Sequence, residues 1–432
     1  MGTRSHVILL TLAMVGAVLI PGGVSSGVGS EPAFILSATG THGSEVNLGI
    51  THAGVVFFGG WDHVARSADE GRTWEAASPG TPLAADRVLV VDRATDRVFV
   101  DDTTLACTVL SWSDDLGRTW TTNPAACGGG ATDHEKVAVG RRTALADPTG
   151  MLYPNVVYVC ANGLSHTPCA ASVDGGRSFG PGLPAGAAEP STGRVTPTCA
   201  FQGVPVAASD GTLYQPRTEC GAAVDRSSDN GLTWERHTVV DDATAASNDT
   251  PDLAITPDGT LYFFWTGADW RPRLSRSGDG GRTWSAPIPL ALGTGLRSTL
   301  FPVVAAGSDG RIGLAFYGTT DAPDGWNGNP GDAPDGVRWD LYAAVVTDAA
   351  APAPTITLQR VTADPVQIGC LSKLGNCRNV NIADYIDAEV SPDGRLHIGY
   401  VDGCPPGCTS AAASTAQEGW MAVQDAGGRL TG

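Results

Sequence analysis

The groups able to do acid–base chemistry in this 432-residue chain fall in a few short segments. Asp384-Tyr385-Ile386-Asp387 brackets a phenol with two carboxylates, His134-Glu135 sets an imidazole beside an acid, and Asp249 lies three residues before Asp252. Such groups can exchange protons with a ligand near neutral pH once burial or neighbours adjust them. Glu45 and Asp86 occupy comparable positions earlier in the chain. A cationic set, Arg217, Arg271, Arg273, Arg297, Arg338 and Arg378, could recognise an anionic ligand, because planar guanidinium forks match carboxylate oxygens. In the segment from Asp321 to Asp340, Asp324, Asn327, Asn329, Asp332 and Asp335 are spaced by Gly and Pro. Hard oxygen ligands on such a loop could hold calcium, but the spacing follows no EF-hand pattern and a plain turn-rich loop is the simpler reading. Trp326 and Trp339 flank it and offer a platform for stacking a sugar. For any single Asp or Arg here, the bland alternative is a solvated or loop-capping side chain.

What must position these groups is a repeat. The pattern S-x-D-x-G-x-[TS]-[WF] occurs at Ser67–Trp74, Ser113–Trp120, Ser172–Phe179, Ser227–Trp234 and Ser277–Trp284, with starts 46, 59, 55 and 50 residues apart. That spacing suits one four-stranded propeller blade and is too long for a single helical repeat unit. The Asp carboxylate can fold over the turn and accept backbone N–H groups. Gly at the fifth position supplies the left-handed conformation, and the terminal ring can wedge between neighbouring sheets. So Asp69, Asp115, Asp174, Asp229 and Asp279 read as structural. This pattern is the Asp-box, and the chain resembles the Asp-box (BNR-repeat) β-propellers, of which bacterial sialidases are the best-known enzymes.

Each repeat lays out as strands A to D, with the box at the C-to-D turn. Ser209-Asp210-Gly211 and Pro257-Asp258-Gly259 join A to B, as hairpin turns do. The same signal recurs past the fifth box at Ser308-Asp309-Gly310 and Pro392-Asp393-Gly394, and eroded boxes that keep Asp348 and Asp425 follow. The expected fold is therefore all-β, a propeller of seven blades, with six as the alternative. Since the chain stops soon after Asp425, Phe34–Ser37 is expected to pair with the last blade and close the ring, covering an otherwise open edge. A-to-B and C-to-D turns share one face of such a ring. Ligand chemistry is then expected on the opposite face, at the starts of the A strands.

Arg4 followed by an apolar run from Val7 to Ile20 and a small-residue stretch reads as a secretory signal over residues 1–29, leaving 30–432 as one propeller domain. The apolar run is too short for a membrane span, and no second one appears. A net charge of −18 argues against nucleic acid as a partner. Ten cysteines in an exported chain imply disulfides. Nearest-neighbour spacing pairs Cys107 with Cys127, Cys160 with Cys169, Cys199 with Cys220, Cys370 with Cys377 and Cys404 with Cys408.

The resemblance implies a secreted, monomeric glycoside hydrolase acting on a terminal acidic sugar of a glycoconjugate, with no required cofactor. It implies arginines clamping the sugar carboxylate, drawn from Arg217, Arg271, Arg273, Arg297 and Arg378, with His134 and Trp326 beside them. Tyr385 would be the nucleophile assisted by Asp384 or Asp387, and Glu135 or Asp252 the proton donor. The chain departs from the family in lacking an Arg-Ile-Pro motif before the first box. Two other readings compete: a non-catalytic propeller binding glycans or proteins, and a polysaccharide lyase with Tyr385 or His134 as base.

Overall fold

The computed structural model describes residues 32–432 except 81–85, 104–107, 124–131, 144–151, 164–166, 186–202, 219–220, 241–248, 291–292, 372–376, 378–381 and 383–384. Residues 1–29, the expected leader, therefore lie outside the described residues, as do Cys107, Cys127, Cys199 and Cys220.

Seven antiparallel sheets form the molecule. Their inner strands are Asn47–Ile50, Asp86–Asp92, Thr132–Arg141, Val206–Ala207, Asp252–Ile255, Ser298–Ala306 and Asp387–Val390. Six sheets run outward in chain order, and blade 6 gains an extra short pairing between Arg338–Trp339 and Gln367–Ile368. The seventh takes Asp387–Val390, Leu396–Asp402 and Glu418–Ala426 from the end of the chain and Ala33–His42 from its beginning. The expected seven blades and N-terminal closure are both present, and the six-bladed alternative is set aside.

Closure is continuous over Phe34↔Gln424, Ile35↔Val423, Leu36↔Ala422, Ser37↔Met421 and Ala38↔Trp420. The closing strand also grips its neighbours. The Ser37 hydroxyl donates to the Gly71 carbonyl of blade 1 at 2.5 Å, and Gln359 of blade 6 donates its amide to the Pro32 carbonyl at 2.5 Å.

Apolar residues are buried as slabs between successive blades. Phe57, Val64, Leu89 and Val100 join blades 1 and 2. Phe99, Trp112, Val137 and Val157 join blades 2 and 3. Leu261–Thr266, with six consecutive buried residues, has neighbours on both faces, as a strand sandwiched between two blades must.

The five repeated turns share one geometry. In each, the Ser hydroxyl donates to the Asp Oδ1 at 2.8 Å. The same hydroxyl accepts the fifth-position Gly N–H at 2.8–3.0 Å. The Asp carboxylate accepts the N–H of the seventh residue at 2.8–2.9 Å. Gly71, Gly117, Gly176, Gly231 and Gly281 have φ between 80° and 91°, a conformation glycine adopts without a Cβ penalty. The eighth-position ring plugs the seam to the preceding blade: Trp120 packs on the slab of blades 1 and 2, and Phe179 on that of blades 2 and 3. At the eroded sixth position, Asp348 still accepts the Thr355 N–H at 3.0 Å, while Asp425 is exposed.

These hydrogen bonds hold the Asp115 carboxyl at about 2, below its ordinary 3.8, chiefly through the Thr119 hydroxyl and N–H. A carboxyl depressed in the folded state stabilises the fold above its ordinary value, and that stabilisation disappears as the pH falls toward the folded value. The melting-temperature gap between wild type and Asp115→Asn should therefore be constant from pH 7 to about 5 and close between about pH 4 and 2. Circular dichroism melts across that range check it.

Candidate functional site

Opposite the repeated turns, the starts of the inner strands converge on the mouth of the central channel. Tyr385, just before the blade 7 inner strand, lines a small cavity there with Asn47, Lys136, Asp252 and Asp387. Asn47, Asp252 and Asp387 also line the channel below, a cavity of about 500 Å³ with walls mainly of Val, Leu and Ala from the inner strands. The remaining charged groups in that channel are Asp92, Arg93 and Glu389.

Tyr385 is buried, and the Lys136 ammonium stands 3.4 Å from its ring centroid, where a cation is drawn to the negative aromatic face. The Asn47 amide donates to the phenol oxygen at 3.4 Å. Burial, followed by the nearby Glu45, Asp86 and Asp387 charges, pushes the phenol well above its ordinary value, so the hydroxyl stays protonated.

The two aspartates on the wall carry out a structural task. Asp252 Oδ2 accepts the N–H of Val304 in the next blade at 2.8 Å, and Asp387 Oδ2 accepts that of Leu48 across the ring closure at 2.7 Å. Each thereby ties adjacent inner strands together. Burial raises Asp252 to about 6 and Asp387 well above the ordinary carboxyl value, with the Lys136 charge partly offsetting the effect at Asp252. Asp249 is buried behind this wall, accepts the Phe301 N–H at 3.2 Å and is raised to about 7 by burial.

Of the described members of the expected constellation, the structure brings Tyr385, Asp252 and Asp387 together and places Glu135, Arg217, Arg271, Arg273 and Arg297 elsewhere. Glu135 is buried beside Asp101, away from the cavity wall. His134 has a described backbone only, and Asp384 and Arg378 lie outside the described residues. Arg217 points into its own blade, where it is 2% exposed and meets Asp225 at 2.6 Å. Arg273 pairs with Asp269 at 2.6 Å, Arg271 is half-buried, Arg297 is exposed, and Arg338 lies 3.7 Å from Asp321 at the surface. None of these arginines lines the cavity of Tyr385, so the expected guanidinium clamp is not assembled among the described residues.

In the proposed calcium loop the oxygens have local partners. Asn327 Oδ1 accepts the Asn329 N–H, Asn329 Oδ1 accepts the Gly331 N–H, and the Asn329 amide donates to Asp332 at 2.8 Å. Asp324 is exposed. The Trp326 indole donates to the Asn329 carbonyl and meets the buried Trp339 edge-on at 6.2 Å, holding the loop onto the core.

Three disulfides expected from spacing are present, Cys160–Cys169, Cys370–Cys377 and Cys404–Cys408. Cys160 and Cys169 stand directly opposite on adjacent strands.

Lys136, Asn47 and Asp101 were not anticipated. Lys136 had a signal, being one of only two lysines in the chain and next to an acid already under suspicion. Asn47 had the weaker one of opening an inner strand.

No protein-family model and no curated protein sequence matches the chain. Solved structures that resemble it include a protein of unknown function from Dyadobacter fermentans, at 15% identity over 92% of this chain and 98% of that one, with a TM-score of 0.46. YCF48 bound to D1 peptide shows 13% identity over 91% and 99%, with a TM-score of 0.49. The leech intramolecular trans-sialidase shows 13% over 93% and 71%, with a TM-score of 0.43.

A carboxyl raised by burial costs the fold nothing below its ordinary value, and stability is lost progressively as the pH rises from that value through the folded one. Asp249→Asn should therefore gain on wild type between pH 5 and pH 8, by on the order of 2–4 kcal/mol for a shift of this size. Chemical denaturation at the two pH values measures it.

Proposed function

We propose that the protein binds carbohydrate at the channel mouth, with Asn47, Asp252, Tyr385 and Asp387 as the hydrogen-bonding groups. The observation that supports this most is the composition of that wall: an amide, a phenol and two carboxyls set among Val and Pro side chains. An apolar wall with a few placed polar groups is the usual chemistry of a small-molecule site, and the channel of about 500 Å³ below, which shares Asn47, Asp252 and Asp387, has the room for a sugar. Lys136 is the one cation on it among the described residues and already stands over Tyr385 beside Asp252. Among the described residues the wall carries two carboxyl groups and no guanidinium, which favours a neutral or amino sugar over an acidic one. Export to the cell exterior, as the leader and cysteines suggest, would bring the site to glycans.

Hydrolysis is the second reading, favoured by Asp252. A carboxyl raised to about 6 and partly exposed on a cavity wall keeps the proton that a general acid donates up to about pH 6.

Calorimetric titration with neutral, amino and acidic mono- and trisaccharides tests the binding reading. Wild type is expected to bind a neutral or amino sugar, and Tyr385→Phe and Asp252→Asn to weaken binding about tenfold each, or about 1.4 kcal/mol. No binding to any sugar would sink the proposal. Fluorogenic glycosides, a sialoside included, address the second reading. Turnover that is abolished in Asp252→Asn and declines above about pH 6, as Asp252 loses its proton, would establish hydrolysis.

A further inference from the structure

Trp61 sits on the same face as the channel mouth, in the short turn between Gly59 and Val64 of blade 1. Its exposure of 36% makes it one of six large apolar side chains left open to solvent among the described residues. A lone exposed apolar residue is ordinary. Three features distinguish this one.

The turn is fixed rather than loose. Asp62 Oδ1 accepts the N–H of His42 at 2.8 Å and that of His63 at 2.9 Å. Arg87, whose Nε meets Asp102 at 2.6 Å, donates to the Gly60 carbonyl at 3.2 Å. A Cβ on Gly43 would lie 2.4 Å from the Trp61 Cβ, so the neighbouring backbone closes on the base of the side chain while the indole stays open.

The residue that follows Trp61 in the turn carries polar groups suited to hydroxyls. His42 Nδ1 lies 3.3 Å from Asp62 Oδ2 and His63 Nδ1 lies 3.1 Å from Asp62 Oδ1, with His42 66% and Asp62 41% exposed. An exposed aromatic side chain in one turn with a carboxylate that two imidazoles meet offers a surface for the C–H groups of a pyranose and partners for its hydroxyls.

The turn is also connected to the mouth. Gly59 stands directly opposite Asn47, the residue that donates to Tyr385, and Trp61 follows two residues later in the turn. Asn47 in turn donates to the backbone carbonyl of Arg87 at 3.1 Å, the residue that holds the turn.

We propose that Trp61, with Asp62 and His42, forms an outer subsite that stacks a second sugar unit of a glycan whose terminal unit occupies the channel mouth. This rests on the carbohydrate reading above and makes the protein a reader of oligosaccharides rather than of single sugars.

The test compares wild type, Trp61→Ala and Trp61→Phe by calorimetry against the mono- and trisaccharides of glucose, mannose, galactose and N-acetylglucosamine, with melting curves confirming that the variants fold. For whichever sugar binds, wild type should prefer the trisaccharide. Trp61→Ala should lose about tenfold on the trisaccharide and less than twofold on the monosaccharide, and Trp61→Phe should keep most of the affinity. Equal affinity of wild type for both lengths, or a length preference that survives in Trp61→Ala, overturns the subsite while leaving sugar binding at the mouth intact. Absence of binding to every sugar overturns both.

Discussion

The pairing of Ala33–His42 with Glu418–Ala426 is the contact on which the rest of the molecule depends. Every blade buries its apolar surface only against its two neighbours, so a ring with one open seam would leave two slabs half exposed and one sheet with a bare edge. Closure removes both faults at once. It also completes the largest apolar cluster, in which Leu48 and Phe58 of blade 1 pack with Ile398 and Met421 of blade 7 and Trp339 of blade 6.

The inner strands face a different problem, because their apolar side chains line an open channel of about 500 Å³ rather than pack against one another across it. Their carboxylates answer part of it. Asp252 and Asp387 reach across to backbone N–H groups of the next blade, and Glu389 accepts the Ile50 N–H while meeting Arg93 at 2.5 Å. The groups that look most like chemistry are therefore also fasteners. Their raised proton affinity follows from that placement, since a carboxyl sealed between blades loses water without gaining a full counter-charge.

Most of the architecture was legible because turns are local. The Ser–Asp–Gly signature fixes a hairpin within eight residues, and Asp-Gly turns at Gly310 and Gly394 announced blades 6 and 7 although their boxes had eroded. Cys160 and Cys169 were legible for the same reason. The site was legible only where a residue begins an inner strand, as Asp252, Tyr385 and Asp387 do. Arginine reach was not. Arg217 turns into its blade because Asp225 on the adjacent strand offers a buried partner, and nothing in the spacing of arginines along the chain announces that. Lys136 and Glu135 show the same limit: neighbours along one strand point to opposite faces, so only Lys136 reaches the mouth.

Ring closure has a further consequence for how the chain comes into being. Thr39 and the Gly419 carbonyl it bonds are separated by 380 positions, so the earliest-made of the described strands is the last to find its place. Six blades can stack as they emerge, each against the one before, while Ala33–His42 waits without a partner until nearly the whole chain has been made. A nascent chain halted anywhere before Glu418 is an open arc with two adhesive ends. Synthesis of Glu418–Ala426 is then the event that turns an open arc into a closed ring.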